Sequence, residues 1–354
     1  MHVHLRGMNQ RITLLLLAAL QACNPVLDPI FERKATPLTG TPSQARVVWA
    51  LDNSGSMLLP IDPAAPQCPV GCGTASYLCP ANCPTRNSER IPAIDIMEAE
   101  LPAEVTQATA IFPIDPVCGS PTSVTVNLSA ADVKARVRDL QPSGGTPTGD
   151  TLRMIANLAP LPTTETFVVL ITDGLPNCNA ANPNNVCSMN PTAEQLQACS
   201  CTTSTCAPAS LCSNGCLDLG AVSASHLLVE REQRLMVIGY GNDLTAGLGP
   251  QVLSAMEVTV GAEGALFAAR GADFQRPAQL LGREVKKSLR CTWWLPRQVT
   301  AADLTVRVGG TAIPAEQWRL VGTTEQRVVI SGSACDSLLV GSEPPSIEWL
   351  PPAE

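Results

Sequence analysis

The chain is short of several things that common functional classes need. Aromatic residues fill only 3% of its 354 positions, so a core has to be assembled from Leu, Val, Ala and Ile. Histidine occurs at His2, His4 and His226 alone, which leaves little from which to build a general base or a zinc site. Lysine is confined to Lys34, Lys134, Lys286 and Lys287. With no basic cluster and a formal net charge of −8, the electrostatic footprint of a nucleic-acid binder is missing. Long apolar runs are also missing. The stretch from Ile12 to Leu20 is too short to span a bilayer, and it follows Arg6 and Arg11, the pattern of an export signal.

Cysteine, by contrast, is plentiful. Leu20-Gln21-Ala22-Cys23 resembles a bacterial lipobox, which implies cleavage before Cys23 and a lipid on its sulfur; Gln21 is the departure from the usual pattern. Residues 1–22 are then a lipoprotein signal peptide, and the membrane is reached through the anchor at Cys23. Asn24, in place of Asp, favours export to the outer membrane of a bacterial envelope. Fifteen cysteines is an odd count, and assigning Cys23 to lipid leaves an even number able to pair completely in an oxidising compartment. Residues 23–44, with Pro25, Pro29, Pro37 and Pro42, read as an extended tether.

The stretch that organises the rest is Arg46 to Met57. Arg46 to Leu51 is the nearly unbroken apolar run of a buried parallel strand, and it delivers Asp52, Ser54 and Ser56 at i, i+2 and i+4. Those oxygens can converge on one hard cation such as magnesium, with Gly55 permitting the turn between them. Two more stretches are of the same kind: Gly144-Gly145-Thr146-Pro147-Thr148-Gly149, and the run Phe167 to Thr172 ending in Asp173-Gly174.

Together these resemble the von Willebrand factor type A domain, whose D-x-S-x-S signature corresponds to Asp52, Ser54 and Ser56. The resemblance implies that Ser54, Ser56 and Thr146 supply neutral oxygens to Mg2+ (or Mn2+ or Ca2+), with Asp52 and Asp173 acting largely through water. It also implies an open metal position, filled by an Asp or Glu carboxylate of a protein partner. The lipobox, the metal turn, Asp62-Pro63 and the cysteine cluster also resemble the gliding-motility adhesion lipoproteins of myxobacteria.

Helix and strand patterns alternate over residues 45–289. They predict an α/β, Rossmann-like fold with a central, mostly parallel sheet and helices on both faces. Helices are expected from about Glu89, from Ser129 to Leu140 and over 148–158, 217–233, 250–258 and 272–289. Cysteine-rich insertions interrupt this domain at 58–85 and 176–216. Residues 290–354 read as a small β-rich region closed by Cys291 and Cys335, with Leu338–Val340 as its last strand. The spacing of Cys68, Cys72, Cys79 and Cys83 admits zinc, but an oxidising compartment favours disulfides within that insertion. Parity then joins Cys118 to a member of the second insertion, Cys178 being nearest the metal strand.

A metallohydrolase would need a base near the metal. His226 falls in a predicted helix, and Asp62 and Asp115 sit in Asp-Pro turns. The sequence therefore reads as a binding protein and not an enzyme, with a structural envelope protein as the rival. Both metal strands end at one edge of the sheet, so the insertions rise around the metal. On this reading Asp173→Ala removes binding and leaves the fold intact.

Overall fold

The computed structural model describes residues 36–349 apart from 75, 117–118, 174–175, 177–219, 242–247, 257–265, 269–270, 324 and 342–344. Cys23, Cys118, Cys178 and nearly all of the second insertion lie outside the described residues, as do the pairings expected of them.

Two short strands, β1 (Thr36–Leu38) and β2 (Thr41–Pro42), precede β3 (Gln44–Asp52), β4 (Thr106–Phe112), β5 (Thr125–Leu128), β6 (Thr164–Thr172), β7 (Arg234–Tyr240) and β8 (Leu266–Ala268). The six strands from β3 onward form one sheet of order β5-β4-β3-β6-β7-β8, parallel except for β5 at its edge. Counted within the sheet this order is 3-2-1-4-5-6, the doubly wound arrangement in which the chain reverses direction beside the first strand.

The continuous apolar runs are explained by burial on both faces. Val47, Trp49 and Leu51 of β3 enter one core with Phe167, Val169 and Ile171 of β6. Their neighbours Val48, Ala50, Val168 and Leu170 enter the other. Alternate side chains of an extended strand point to opposite faces, so a strand covered on both sides has no polar face to show. Trp49 spends its one polar atom on Gln107, Nε1 donating to Oε1 at 2.7 Å.

Among the described residues, six helices cover the sheet. On the first face lie α1 (Arg86–Ala99), α2 (Ala130–Arg138) and, later in the chain, the long helix Gln275–Cys291; on the second lie α3 (Thr148–Ala156), α4 (Gly220–Glu230) and α5 (Leu248–Met256). The long helix is α6. The start of α1 falls at Arg86 and not near Glu89, because Thr85 and Ser88 exchange side-chain and backbone bonds in a capping box there; Pro92 lies inside the helix. Ser129 and Asp132 make the equivalent box for α2.

Where α6 crosses the end of α1 the contact is very close. A Cβ on Gly282 would lie 2.6 Å from the Glu100 carbonyl oxygen and 2.9 Å from its Cβ. Gly282→Ala should therefore destabilise the protein by about 1–3 kcal/mol by forcing the helices apart. Thermal unfolding measures this, and an unchanged midpoint would mean that α6 moves away freely.

The chain then runs through β9 (Thr292–Trp294), β10 (Leu304–Val308), β11 (Thr311–Ala312), β12 (Trp318–Val321), β13 (Arg327–Ile330), α7 (Gly332–Val340) and β14 (Ser346–Trp349). These strands make two four-stranded antiparallel sheets, β1-β14-β10-β11 and β12-β13-β9-β2. Leu304, Val306, Val328, Ile330, Leu338 and Ile347 form their shared core, crossed by a disulfide between Cys291 and Cys335.

Two expectations are corrected here. Residues 36–42 are not tether: β1 pairs with β14 and β2 with β9, so segments before and after the α/β sheet build this unit together. Residues Leu338–Val340 are not a strand but the end of α7, whose buried Ala334, Cys335 and Leu338 follow helical spacing over Cys291.

The unit is fastened to the edge of the α/β sheet where the parallel strands begin. Ser43 N donates to the Thr292 carbonyl at 3.0 Å. Arg327 of β13 reaches Glu232 at 2.7 Å and Glu165 at 3.6 Å, with its guanidinium over the Trp294 ring. The opposite edge, where β3 and β6 end, is left for the site.

Candidate metal centre

Asp52 is the last residue of β3, and the chain turns at once into a 3-10 helix, Gly55–Leu58. That turn brings the candidate oxygens into one chain of hydrogen bonds. Ser54 N donates to Asp52 Oδ1 at 2.8 Å, and the Ser54 and Ser56 hydroxyls lie 2.9 Å apart. Ser56 Oγ donates to Asp173 Oδ1 at 2.8 Å, joining the end of β3 to the end of β6. Thr172 Oγ1 donates to the remaining Asp52 oxygen at 2.6 Å.

Thr146 comes from the loop before α3, which is pinned to the turn by backbone. Gly55 N donates to the Gly144 carbonyl at 2.9 Å, Ser143 N donates to the Asn53 carbonyl at 2.9 Å, and Asn53 Nδ2 donates to the Gln141 carbonyl at 3.0 Å. The part expected of Gly55 changes accordingly. It takes no left-handed conformation, and a Cβ there would meet Gly144 O at an ordinary 3.5 Å. Its contribution is the N–H that holds the Thr146 loop, whereas Gly144, at φ +73°, is the glycine that needs its freedom.

Asp52, Ser54, Thr146 and Asp173 are each 1% exposed, and Ser56 is half-buried, so the cluster opens on its Ser56 side. Burial pushes the Asp173 carboxyl up to about 7, and the neighbouring Asp52 carboxylate adds to the rise against the opposing pull of Arg86. Burial raises Asp52 as well, offset in part by its bonds from Thr172 and Ser54. Hard neutral and anionic oxygens, with two carboxylates crowded in an apolar place, fit a hard dication: it would relieve their repulsion and use the donor types on hand.

Two arginines that the sequence reading passed over stand behind the carboxylates. Arg86 Nη1 donates to Asp173 Oδ2 at 3.0 Å and to the Asp173 carbonyl at 3.2 Å, with the pair 3% and 0% exposed. Arg90 Nη1 donates to the Asp52 carbonyl at 2.8 Å, and its other nitrogen to Asn87. Their signal in the sequence is spacing: positions 86 and 90 continue the face that carries Ala93, Ile94 and Met97. Thr172, adjacent to Asp173, carried no such signal.

The first insertion is pinched at its base beside the site. Pro60 bridges to Thr85, Ile61 N donates to Pro84 O at 3.0 Å, and Arg86 N donates to Leu59 O at 3.1 Å. Beyond this neck, disulfides Cys68–Cys83 and Cys72–Cys79 are nested, which leaves these sulfurs no role as zinc thiolates. Ser56 enters the neck and Arg86 leaves it, so the loop is built into the wall of the centre. His226 sits half-buried on α4.

The acid pair gives a pH dependence whose sign can be worked out. Between its ordinary value of 3.8 and its folded value of about 7, Asp173 holds a proton in the folded protein that the unfolded chain has released. Stability without metal should then fall as pH rises through that window, and Glu98, which burial pushes to about 7, acts in the same direction. Mg2+ needs the ionised centre and should restore stability at the upper end. Melting temperatures across pH in chelator and in Mg2+ check this, and a Mg2+ effect that does not grow with pH would contradict it.

The doubly wound sheet thus gathers hydroxyl and carboxylate oxygens at its carboxyl edge. The sequence matches no family profile and no curated protein. Among solved structures, the chain is similar to the pilus adhesin SpaC of Lactobacillus rhamnosus GG (13% identity, 88% of this chain and 39% of that one, TM-score 0.44). It is also similar to the PilB minor pilin of Streptococcus sanguinis (16%, 70% and 63%, TM-score 0.44). A third is the vWF domain of the type V pili tip protein Mfa5 of Porphyromonas gingivalis (15%, 74% and 99%, TM-score 0.45). The chain thus spans well under half of SpaC and just under two thirds of PilB.

Proposed function

We propose that this is a cell-surface binding protein of the bacterial envelope, which holds a protein partner through a metal ion at the edge of its sheet. Ser54, Ser56 and Thr146 would hold Mg2+, or Mn2+ or Ca2+ in its place, while Asp52 and Asp173 balance charge beside it. The ion supplies an electrophilic position that an Asp or Glu carboxylate of the partner can fill. The observation that carries this is the single hydrogen-bonded chain from Asp52 through Ser54 and Ser56 to Asp173, which ties two strand ends into one oxygen cluster open on one side. A lipid on Cys23 would keep the protein at the outer membrane, in a role in adhesion or gliding motility.

The reading is of a recognition device and not an enzyme. The buried carboxylates are occupied by Thr172, Ser54, Ser56 and Arg86, which leaves neither as a ready base. The test is capture of partners from envelope extract by the immobilised full chain, in Mg2+ and in chelator, beside Ser56→Ala. Partners retained in Mg2+ alone, and lost in Ser56→Ala, are expected. Retention equal in chelator would overturn the reading, and a Mg2+ effect on melting without any dependent partner would make the metal purely structural.

A further inference from the structure

The long helix α6 carries an excess of positive charge that runs against the rest of the chain. Arg276, Arg283, Lys286, Lys287 and Arg290 stand on it with Glu284 as its one acid, in a protein of net charge −8. Arg283, Lys286 and Arg290 recur at i, i+3 and i+7, so helical spacing gathers onto one face cations that the sequence spreads out. That face lines an open cleft of about 610 Å3 where α1, α6 and α7 meet, a volume in the usual range of small-molecule sites. The end of α1 and the turn after it contribute Glu100 and Glu104, while Pro102, Leu289 and Leu339 make the apolar part. The cleft shares no residue with the metal centre.

The charges around this cleft are not consumed by one another. Lys287, which does not line it, pairs with Glu284 at 3.0 Å. Among the described residues no acid pairs with Lys286 or Arg290, and Arg283 reaches only Glu284, at 3.6 Å. Glu100 accepts from the Gln275 amide at 3.3 Å, and no ion pair crosses from α6 to Glu100 or Glu104. Both walls are fixed in place: Gly282 lies hard against the Glu100 backbone, and the Cys291–Cys335 bridge ties α7 to the end of α6. Opposite charges are therefore held apart across a preformed gap, the condition under which a ligand binds without first reordering its site. The helix dipole accounts for Arg290 in the last turn, but not for Arg283, about two turns further in.

We propose that this cleft binds an anionic sugar, its phosphate or carboxylate on Arg283, Lys286 and Arg290 and its hydroxyls toward Glu100 and Glu104. Guanidinium forks and an ammonium group match the oxygens of an acid through charge-assisted hydrogen bonds. Ionised carboxylates accept and cannot donate, so the α1 wall requires a ligand rich in hydroxyl donors. A bare anion leaves that wall unanswered and is repelled by it. An apolar acid places no donor before it. The apolar face of a sugar ring can rest on Pro102, Leu289 and Leu339.

Calorimetric titration of the full chain with glucose 6-phosphate, glucuronate, glucose and inorganic phosphate, all at one ionic strength, tests this. One or both of the acid sugars should bind with a dissociation constant on the order of 1 mM, and the tighter of the two names the acid group. Glucose and inorganic phosphate, each lacking one half of the recognition, should bind about tenfold more weakly or not at all. Lys286→Gln should weaken the acid sugar about fivefold, the scale of an exposed charge contact. Lys287→Gln removes the same charge one residue away, outside the cleft, and should leave binding unchanged. Both side chains are on the surface of α6, and circular dichroism checks that both variants keep the fold. Failure of both acid sugars to bind overturns the proposal, as does inorganic phosphate or glucose binding equally well. Equal effects of Lys286→Gln and Lys287→Gln also overturn it, because the field of the helix and not the cleft would then attract the anion.

Discussion

Above pH 7, where its carboxyl is ionised, Asp173→Ala should destabilise the metal-free protein by about 3–5 kcal/mol, the usual effect of stranding one member of a buried ion pair. Arg86, 3% exposed, would lose its carboxylate partner while keeping its bond to the backbone carbonyl of residue 173, and Ser56 would lose its acceptor. For a chain of this size the loss lowers the melting temperature by about 4–7 °C. Asp173→Asn keeps an acceptor for Arg86 and should fall well short of that. Denaturant unfolding in chelator separates the two; a difference from wild type below about 1 kcal/mol for the alanine variant would mean that Arg86 finds water or another partner. The fold-neutral outcome expected from the sequence therefore gives way, because the carboxylate is joined to a buried guanidinium as well as to the site. Half-buried Ser56 is the better position from which to read binding alone.

Replacing both Cys291 and Cys335 with Ser should have an effect of similar size in a different part of the molecule. The bridge closes a separation of 44 residues that contains β9 to β13. Loop-closure entropy for that length gives about 4 kcal/mol. The core it crosses is small, a few aliphatic side chains between two short-stranded sheets, so the bridge carries a large share of local stability. The C-terminal sheets should open first, seen as early loss of amide protection and new proteolysis between residues 292 and 349, while the α/β sheet melts later. A variant that unfolds in one transition at the wild-type midpoint would show that the Arg327 contacts with Glu165 and Glu232 suffice to hold the unit.

Elements whose identity is local were legible in the sequence. β3 and β6 announced themselves by unbroken apolar runs, and α2 by its Ser-Asp box, since burial on both faces and capping leave marks within a few residues. Asp52, Ser54 and Ser56 could be grouped for the same reason. What escaped depended on distant partners. β1 and β2 are three and two residues long, with no period to detect, and exist because β14 and β9 lie alongside. The apolar end of α7 looked like a strand because a short run carries no decisive period. Arg86 and Arg90 share the face marked by Ala93, Ile94 and Met97, but spacing alone does not single out a buried arginine, because the groups that make its burial tolerable come from the ends of β3 and β6.

The pairing of β1 with β14 also sets an order of events during synthesis. The first described strand has its partner far along the chain, Thr36 lying opposite Trp349. β1 has no sheet to join until β14 is made, and β2 none until β9, so closing them into place is among the least local steps the chain must take. A fragment begun at Ala45 never takes that step. It leaves β14 and β9 as bare sheet edges, with unpaired backbone groups open to another copy of the chain, and self-association through those edges is the fate such a truncation invites.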